Sequence, residues 1–310
     1  MHVLITGGTG LIGRALTSAL LADGHQVTII SRSAQRPAGI PEPVGILSWE
    51  QAREQGWDAT LRGVNAVVNL AGENLAGAGL LPERWTPQKK ERILRSRVEV
   101  GERLTQAIAS SSHKPSVFVQ ASASGYYGPR GDEEITEEHA PGNDFLAGVA
   151  KAWEASTAGV ESQGVRRVII RTGVVLSTRG GALPRLALPV RLGLGGRIGS
   201  GRQWVPWIHI DDEVRAIQFL IEQPHVQGPY HLCAPQPLRN VELMRALGKV
   251  LRRPIWLPIP AFVIKLLLGE MATVLLDGQR MMPSRLLEAG FVFQHPEIHA
   301  ALQDLFSRGV

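Results

Sequence analysis

Residues 1–33 read MHVLITGGTGLIGRALTSALLADGHQVTIISRS, and this stretch predicts the fold of the domain that it opens. Residues 3–5 and 27–30 are short apolar runs, whereas the apolar residues of 11–22 recur at the three- and four-residue spacing of a helix. A strand that is apolar throughout is buried on both faces, as in a parallel sheet covered by helices. The stretch therefore predicts a strand, a glycine loop, a helix and a second parallel strand.

Three glycines follow the first predicted strand with the spacing G-x-x-G-x-x-G. Glycine permits a tight turn, close approach of the backbone to a pyrophosphate and close packing of the helix on the strand. The helix N-terminus adds free N–H groups and the positive end of the helix dipole. A glycine-rich structural turn is the alternative, but the position between strand and helix favours a dinucleotide phosphate loop. Its candidate residues are Gly7, Thr9, Gly10, Leu11, Ile12 and Gly13.

The residues after the second predicted strand indicate which dinucleotide binds. A site that prefers NAD usually has Asp or Glu here for the ribose hydroxyls. This chain has Ser31 and Arg32 instead, and no acidic residue between Asp23 and Glu42. A guanidinium can hold a 2′-phosphate through two parallel hydrogen bonds, whereas a solvated loop arginine is the alternative. We predict NADP(H) as the cofactor, with Ser31 and Arg32 at its 2′-phosphate.

Strands and helices continue to alternate beyond this unit. Apolar strand runs recur at 66–71, 117–119 and 168–170. Between the first two, Thr86 and Pro87 are a typical cap and first residue of a long helix that runs to about residue 110. This alternation predicts the α/β class, with a Rossmann-type doubly wound parallel sheet.

The pattern changes after about residue 176. Gly, Pro and Arg are frequent from 180 to 203, and short helical segments separated by prolines fill 240–310. We predict an NADP-binding domain of residues 1–178, to which 205–235 return. Residues 179–204 and 236–310 then form a smaller, mostly helical lobe on the substrate side.

The composition limits the possible partners. Hydrophobic residues make up 44% and charged residues 20%, which excludes a disordered chain. The net charge of +5 comes without a run of basic residues, so we predict no nucleic-acid partner. Cys233 is the single cysteine, which excludes a disulfide within the chain, and the histidine spacing predicts no metal. No apolar window reaches the roughly 20 residues of a membrane helix, so we predict a cytoplasmic protein without a membrane partner.

One arginine interrupts the apolar face of the long helix. Ile93, Val100 and Leu104 share one face at helical spacing, and Arg97 lies among them. A buried arginine needs anionic or carbonyl partners, and a cofactor or substrate phosphate at the sheet edge is one such partner. The alternative is a side chain that extends from the margin of the apolar stripe to solvent.

Further motifs match one known family. They are 7–13 (GGTGLIG), 69–72 (NLAG), 122–128 (SASGYYG), 171–176 (RTGVVL) and 206–212 (PWIHIDD). Together they resemble the atypical NADP-binding "epimerase family" of extended short-chain dehydrogenases/reductases. The resemblance covers essentially the whole chain and implies a Rossmann fold and NADP(H) binding. It also implies that Leu70, Ala71 and Gly72 approach the dinucleotide at the end of the fourth strand, and that Val174 lies near the nicotinamide.

The chain departs from the superfamily at the catalytic residues. Extended members use Tyr-x-x-x-Lys, in which Tyr exchanges a proton with the substrate oxygen and Lys lowers the Tyr pKa. None of the three tyrosines here has Lys four residues later, and Ala147 stands four residues before Lys151. We take Ser122, Ser124, Tyr126 and Lys151 as the candidates for a rebuilt proton-transfer apparatus.

The substrate is only broadly constrained by the sequence. Sugar-nucleotide epimerases often have Arg three residues before the Ile/Val-His segment, but Val205 stands there. Arg202 and Gln203 are the candidate substrate-binding residues, in a loop that either closes over an anion or merely links the lobes. The expected function is NADP-dependent oxidoreductase or epimerase-like chemistry on a small anionic or carbonyl-bearing substrate. The alternative is an NADP(H)-binding sensor without catalysis; the oligomeric state is left open.

Overall fold

The computed structural model describes residues 1–77, 79 and 82–308 of the chain. The strands are β1 (His2–Thr6), β2 (Gln26–Ser31), β3 (Gly45–Ser48), β4 (Ala66–Asn69), β5 (Val117–Ala123), β6 (Glu134–Ile135), β7 (Arg166–Thr172), β8 (Val174–Leu176), β9 (Trp204–Val205), β10 (Trp207–His209), β11 (Gly228–Leu232), β12 (Leu238–Arg239) and β13 (Arg280–Met281).

The α-helices are α1 (Leu11–Ala22), α2 (Trp49–Glu54), α3 (Trp57–Leu61), α4 (Pro87–Ser110), α5 (Phe145–Ala155), α6 (Ala182–Arg191), α7 (Ile210–Glu222), α8 (Asn240–Leu251), α9 (Ala261–Leu268), α10 (Thr273–Leu276), α11 (Ser284–Glu288) and α12 (Ile298–Ser307). Three short 3₁₀ helices span Ser124–Tyr127, Ala158–Gln163 and Gly269–Ala272. Within the described residues, no helix is long and apolar enough to cross a bilayer.

Seven parallel strands form the central sheet in the order β11-β7-β5-β4-β1-β2-β3. The chain builds the sheet outward from β1 to β3 on one side and from β4 to β11 on the other. The order therefore reverses between β1 and β4, and such a switch point leaves a crevice at the carboxyl ends of the strands. The predicted α/β class and doubly wound parallel sheet are confirmed.

Helices cover both faces of the sheet, which explains why its strands are apolar throughout. On one face, Leu16 of α1 and Ile217 of α7 belong to the same buried cluster as Val3. On the other face, Leu104 of α4 packs with Leu4. Successive residues of β1 point to opposite faces, so both faces exclude water from the strand that leads to the glycine loop.

The C-terminal helices form a second apolar cluster beside the sheet. Leu183 of α6, Leu247 of α8 and Leu302 of α12 are buried together there. Two short pairings connect this part to the rest, since β12 pairs antiparallel with β9 and β13 pairs parallel with β6. The C-terminal helices are thereby held on the side of the sheet where the crevice opens.

The ends of two helices test the capping rules used above. Helix α4 begins as predicted, because the Thr86 side chain accepts a hydrogen bond from Lys89 N and proline follows at the first position. Helix α7 begins with a different kind of cap. His209 is the N-cap, and its Nδ1 accepts from Asp211 N at 3.0 Å, whereas Asp211 and Asp212 lie inside the first turn.

The glycine loop yields a test of the fold. A Cβ on Gly13 would lie 2.4 Å from the Gly7 carbonyl oxygen, whereas a Cβ on Gly148 in α5 meets nothing within 4 Å. We expect Gly13→Ala to lower the free energy of unfolding by about 1–3 kcal/mol because backbone must move. Gly148→Ala should raise it by about 0.5–1 kcal/mol. Urea unfolding measures both; equal effects would contradict the packing described here.

Candidate functional site

At the crevice, the main chain of the loop after β1 lies very close to the main chain of the loop after β4. Gly7 has a φ of +72°, and a Cβ there would lie 2.6 Å from the carbonyl carbon of Leu70. Leu70, Ala71 and Gly72 directly follow β4, so the loop after β1 contacts the loop after β4. The residues that the sequence placed at the fourth strand therefore lie beside the glycine loop.

The N-terminus of α1 opens into this crevice. Its N-cap, Gly10, offers no side chain to the first turn, which begins with Leu11 and contains no acidic residue. Arg14 fixes the loop, because its Nε donates to the Thr9 carbonyl at 2.8 Å. A helix start with uncapped N–H groups and no nearby carboxylate is suited to a phosphate.

Ser31 and Arg32 lie at the neighbouring strand end. Ser31 closes β2, which pairs with β1, and its hydroxyl donates to the Ser33 carbonyl. Arg32 is exposed, and no hydrogen bond or ion pair of its side chain occurs among the described residues. Arg36 of the same loop differs, since its guanidinium donates to the carbonyls of Pro41 and Val44. Arg32 is thus the arginine of this loop that is available to a ligand.

A buried chain of polar side chains fastens the strand ends together. Thr6 Oγ1 donates to Asn69 Oδ1 at 2.6 Å, and Asn69 Nδ2 donates to Gln120 Oε1 at 2.9 Å. Ala71 N also donates to Asn69 Oδ1 at 3.3 Å. These bonds join β1, β4 and β5 below the crevice. They were not predicted; the signal was the presence of Asn69 and Gln120 in otherwise apolar strand runs.

Arg97 is buried beneath the loop that follows β4. Its Nη1 donates to the Ile93 carbonyl at 2.9 Å and its Nη2 to the Glu73 carbonyl at 3.1 Å. The guanidinium lies 4.8 Å from the centre of the Trp153 ring, and burial lowers the pKa of Arg97 to about 10. The alternative that Arg97 extends to solvent is therefore wrong, and main-chain carbonyls are the partners of its guanidinium. A contact of Arg97 with cofactor stays a prediction.

The four candidate catalytic residues differ in burial and in their hydrogen-bond partners. Ser122 is buried, and its hydroxyl donates to Glu154 Oε1 at 2.6 Å. Ser124 and Tyr126 lie in the half-buried 3₁₀ helix after β5. Lys151 is exposed on α5, one turn after the buried Ala147.

Arg171, on β7, connects β5, α5 and the 3₁₀ helix that follows β5. It donates to Glu154 Oε1 at 2.9 Å and to Glu154 Oε2 at 3.0 Å, and Oε1 also accepts from the Ser122 hydroxyl. Its guanidinium carbon lies 3.5 Å from the centre of the Tyr126 ring, a cation–π contact. A bidentate pair fixes the plane of an arginine. The pair with Glu154 therefore holds the guanidinium plane of Arg171 on the face of the Tyr126 ring.

The Tyr127 side chain is buried, and its hydroxyl is hydrogen-bonded to other side chains of the protein. Its hydroxyl donates to His231 Nε2 at 2.5 Å and accepts from Arg171 Nη1 at 2.7 Å. His231 Nδ1 donates to the Met282 carbonyl at 2.8 Å, which assigns the tautomer. Burial raises the pKa of Tyr127 and lowers that of His231 to about 3. Cys233 lies in the same cluster, with its Sγ 3.7 Å from the Met281 carbonyl.

The remaining candidates lie in β8 and in the loop just before β9. Val174 is half-buried at the start of β8, and its N donates to the Pro206 carbonyl at 2.6 Å. Arg202 is exposed, whereas Gln203 Nε2 donates to the carbonyls of Ile198 and Leu275. The glycine-rich loop around them is anchored, since Gly199 N donates to the Ile259 carbonyl at 2.8 Å. This anchoring favours a linking role for the loop.

Two histidines and two aspartates form a cluster in the structure, although the spacing of the histidines along the sequence predicted no metal site. Ligand atoms of His209, Asp211, His295 and Asp304 lie within 4.8 Å of one another. They come from separate elements, which is why spacing along the chain missed the cluster. Arg308 supplies a cation there, with Nη1 2.7 Å from Asp211 and Nε 2.8 Å from Asp304. We read the cluster as an ionic contact that holds α12 to α7.

The fold and crevice define a protein of the Rossmann class, built like an extended short-chain dehydrogenase/reductase. Residues 3–233 match the model of the NAD dependent epimerase/dehydratase family, and residues 259–305 match a domain of unknown function, DUF1731. The chain belongs to the NAD dependent epimerase/dehydratase family. The resemblance drawn from the motifs is confirmed.

Relatives match over nearly the full length. The mouse epimerase family protein SDR39U1 is 39% identical over 308 residues, 98% of this chain and 99% of the relative. The epimerase family protein Mb2239 of Mycobacterium bovis is 42% identical over 301 residues, 97% and 96% of the two chains. The crystal structure of human SDR39U1 with NADPH aligns with a TM-score of 0.88 at 36% identity and covers 99% of each chain.

A buried carboxyl next to the crevice gives a pH-dependent prediction. Thr172 Oγ1 donates to Glu213 Oε1 at 2.9 Å, and burial raises the pKa of Glu213 from 4.5 to about 8. The pKa of Glu213 is therefore higher in the folded than in the unfolded protein, so folding favours the protonated carboxyl. The stability that this proton binding contributes is fully present below pH 4.5 and is lost as the pH rises toward 8. The loss amounts to on the order of 1 kcal/mol per pH unit.

Glu213→Gln keeps the acceptor for Thr172 but removes the titration. We expect the wild type to lose stability relative to this variant as pH rises from about 5 to 8. Thermal unfolding of both proteins across this range measures the difference. A constant difference would show that Glu213 does not bind a proton on folding.

Proposed function

We propose that this chain binds NADP(H) in the crevice between β1 and β4. The pyrophosphate lies on the glycine loop and at the N-terminus of α1, and the 2′-phosphate lies on Ser31 and Arg32. The nicotinamide lies near Val174 and Tyr126. The crystal structure of human SDR39U1 with NADPH supports this proposal, as does the family match.

The observation that carries the cofactor choice is the state of Arg32. It is an exposed arginine beside the end of β2, and none of its side-chain donors is engaged by a described residue. No carboxylate occupies the positions next to it, where it would repel a phosphate and bind a ribose hydroxyl instead. A phosphate satisfies the charge and the donors of Arg32 together.

Reversal of this charge tests the cofactor choice. Arg32→Asp should weaken NADPH binding by at least about tenfold, because a charge-assisted contact is replaced by repulsion. NADH binding should stay equal or improve. Arg62→Asp is the matched control, since Arg62 is also exposed but lies after α3. Fluorescence titration gives the dissociation constants; equal NADPH affinity of wild type and Arg32→Asp would sink the assignment.

The reaction proposed is reversible hydride transfer to a small carbonyl-bearing, preferably anionic, substrate. NADPH supplies the hydride when it is bound. Tyr126 is placed to give a proton to the substrate oxygen, because its ring is half-buried at the crevice and its face contacts Arg171. The cation–π contact with Arg171 holds the Tyr126 ring in one orientation. Arg171 thus acts as a positioning residue for Tyr126.

One observation favours a second candidate, a non-catalytic sensor of NADP(H). Lys151 is exposed and Ala147 takes the place of a tyrosine one turn before it. The usual pair of proton donor and charged neighbour is therefore lacking on α5. A sensor needs the same cofactor crevice but no proton donor.

A substrate panel distinguishes the two candidates. We expect oxidation of NADPH with at least one member of a panel of small aldehydes, ketones and keto acids. Tyr126→Phe should then lower kcat by about 100-fold or more and leave the dissociation constant for NADPH unchanged. An inert protein whose protease sensitivity changes strongly with NADPH would instead be the sensor.

A further inference from the structure

The large apolar side chains that remain exposed are concentrated in the C-terminal part of the chain. Five of them lie within residues 252–267, which we call the apolar segment. Trp256, Leu257, Phe262, Leu266 and Leu267 are 64%, 40%, 71%, 69% and 63% exposed. The segment includes the connector from α8 to α9 and nearly all of α9. A group of exposed apolar side chains on this scale marks a binding surface.

Helix α9 presents these side chains in a fixed arrangement. Phe262 and Leu266 are one turn apart and share a face, whereas Ile264, the one buried residue of α9, lies on the opposite face. Arg84 Nε donates to the Leu267 carbonyl at 2.8 Å and holds the end of the helix. Trp256 is also anchored, since its Nε1 donates to the Gly193 carbonyl at 3.0 Å. The exposed face therefore belongs to a secured helix.

The charge of this region has one sign. No acidic residue occurs between Glu242 and Glu270, whereas five basic residues do, namely Arg245, Lys249, Arg252, Arg253 and Lys265. Glu270, at the end of this stretch, is paired with Lys90 at 2.8 Å. Arg252, Arg253 and Lys265 are exposed and have no ion-pair partner among the described residues. The apolar segment therefore offers its hydrophobic side chains together with the exposed charges of Arg252 and Arg253, while Lys265 has Asp277 as an acidic neighbour.

We propose that the apolar segment binds the surface of an anionic lipid bilayer. Phe262, Leu266 and Leu267 enter the boundary between headgroups and acyl chains, and the basic residues contact the headgroup phosphates. Lys265 lies on α9 between Phe262 and Leu266. A lysine is disfavoured in the core of a protein interface, but at a bilayer its stem stays among the acyl chains while the ammonium reaches the headgroups.

A second copy of the chain is the less suitable occupant. Two-fold pairing through the same surface would bring the basic residues of both copies together. The expectation of no membrane partner considered only helices that span a bilayer, whereas surface binding needs no such helix. The proposal does not depend on the cofactor or on the reaction.

Vesicle sedimentation tests the proposal with the full chain. We expect binding to phosphatidylglycerol vesicles, little binding to phosphatidylcholine vesicles, and weaker binding as salt is added. The double variant Phe262→Ser with Leu266→Ser should bind at least about tenfold more weakly. Leu287→Ser with Val292→Ser is the apolar control, since these residues are 43% and 72% exposed elsewhere on the surface.

The charge contribution has its own matched pair. Arg252→Gln with Arg253→Gln should weaken binding to phosphatidylglycerol vesicles, whereas Arg53→Gln with Arg62→Gln removes the same charge from exposed positions near α2 and α3 and should not. Failure to bind phosphatidylglycerol, or equal binding by the Phe262/Leu266 variant, would overturn the proposal. So would light scattering that shows a dimer in the wild type and a monomer in that variant. Circular dichroism and NADPH titration verify that each variant is folded.

Discussion

Contact between main-chain atoms at Gly7, Gly13 and Leu70 sets the geometry of the whole crevice. The loop after β1 lies against the loop after β4 on one side and against α1 on the other, with no space for a Cβ at either glycine. Side-chain packing has no part in these contacts, so no larger residue reproduces them. This close approach determines the direction of the α1 axis. It also determines the distance between the N-terminus of α1 and the loop at 70–72.

Beneath the crevice, polar groups are buried in connected sets. Thr6, Asn69 and Gln120 tie three strand ends together, and Glu154 and Arg171 link β5, α5 and β7. Burial of such groups costs desolvation, and that cost is offset only when every partner is in place. The second set explains how an arginine comes to lie against Tyr126. The site departs from the superfamily pattern at Ala147, which stands one turn before Lys151 where the pattern has a tyrosine.

Local sequence predicted what local physics determines. The bounds of α1, the start of α4 at Thr86 and Pro87, and the glycine loop all follow from periodicity, capping and backbone freedom. The short elements β3, α2 and α3 were missed, although Ser48 and Gln51 form a capping box that announces α2. The Tyr127–His231 bond joins residues 104 positions apart, and no spacing rule reaches that far. Hence the glycine loop could be read from the sequence, whereas the surroundings of Ser122, Tyr126 and Lys151 could not.

Cys233 is enclosed with Tyr127 and Met281, and burial raises the pKa of its thiol. A thiol that is both enclosed and protonated does not react with maleimides or oxidants at neutral pH. Since no other cysteine is present, the native chain is in effect free of reactive thiols. A cysteine introduced at any exposed position would carry a spectroscopic label at that position alone, so distances between the sheet and the C-terminal helices can be followed without first removing a native residue.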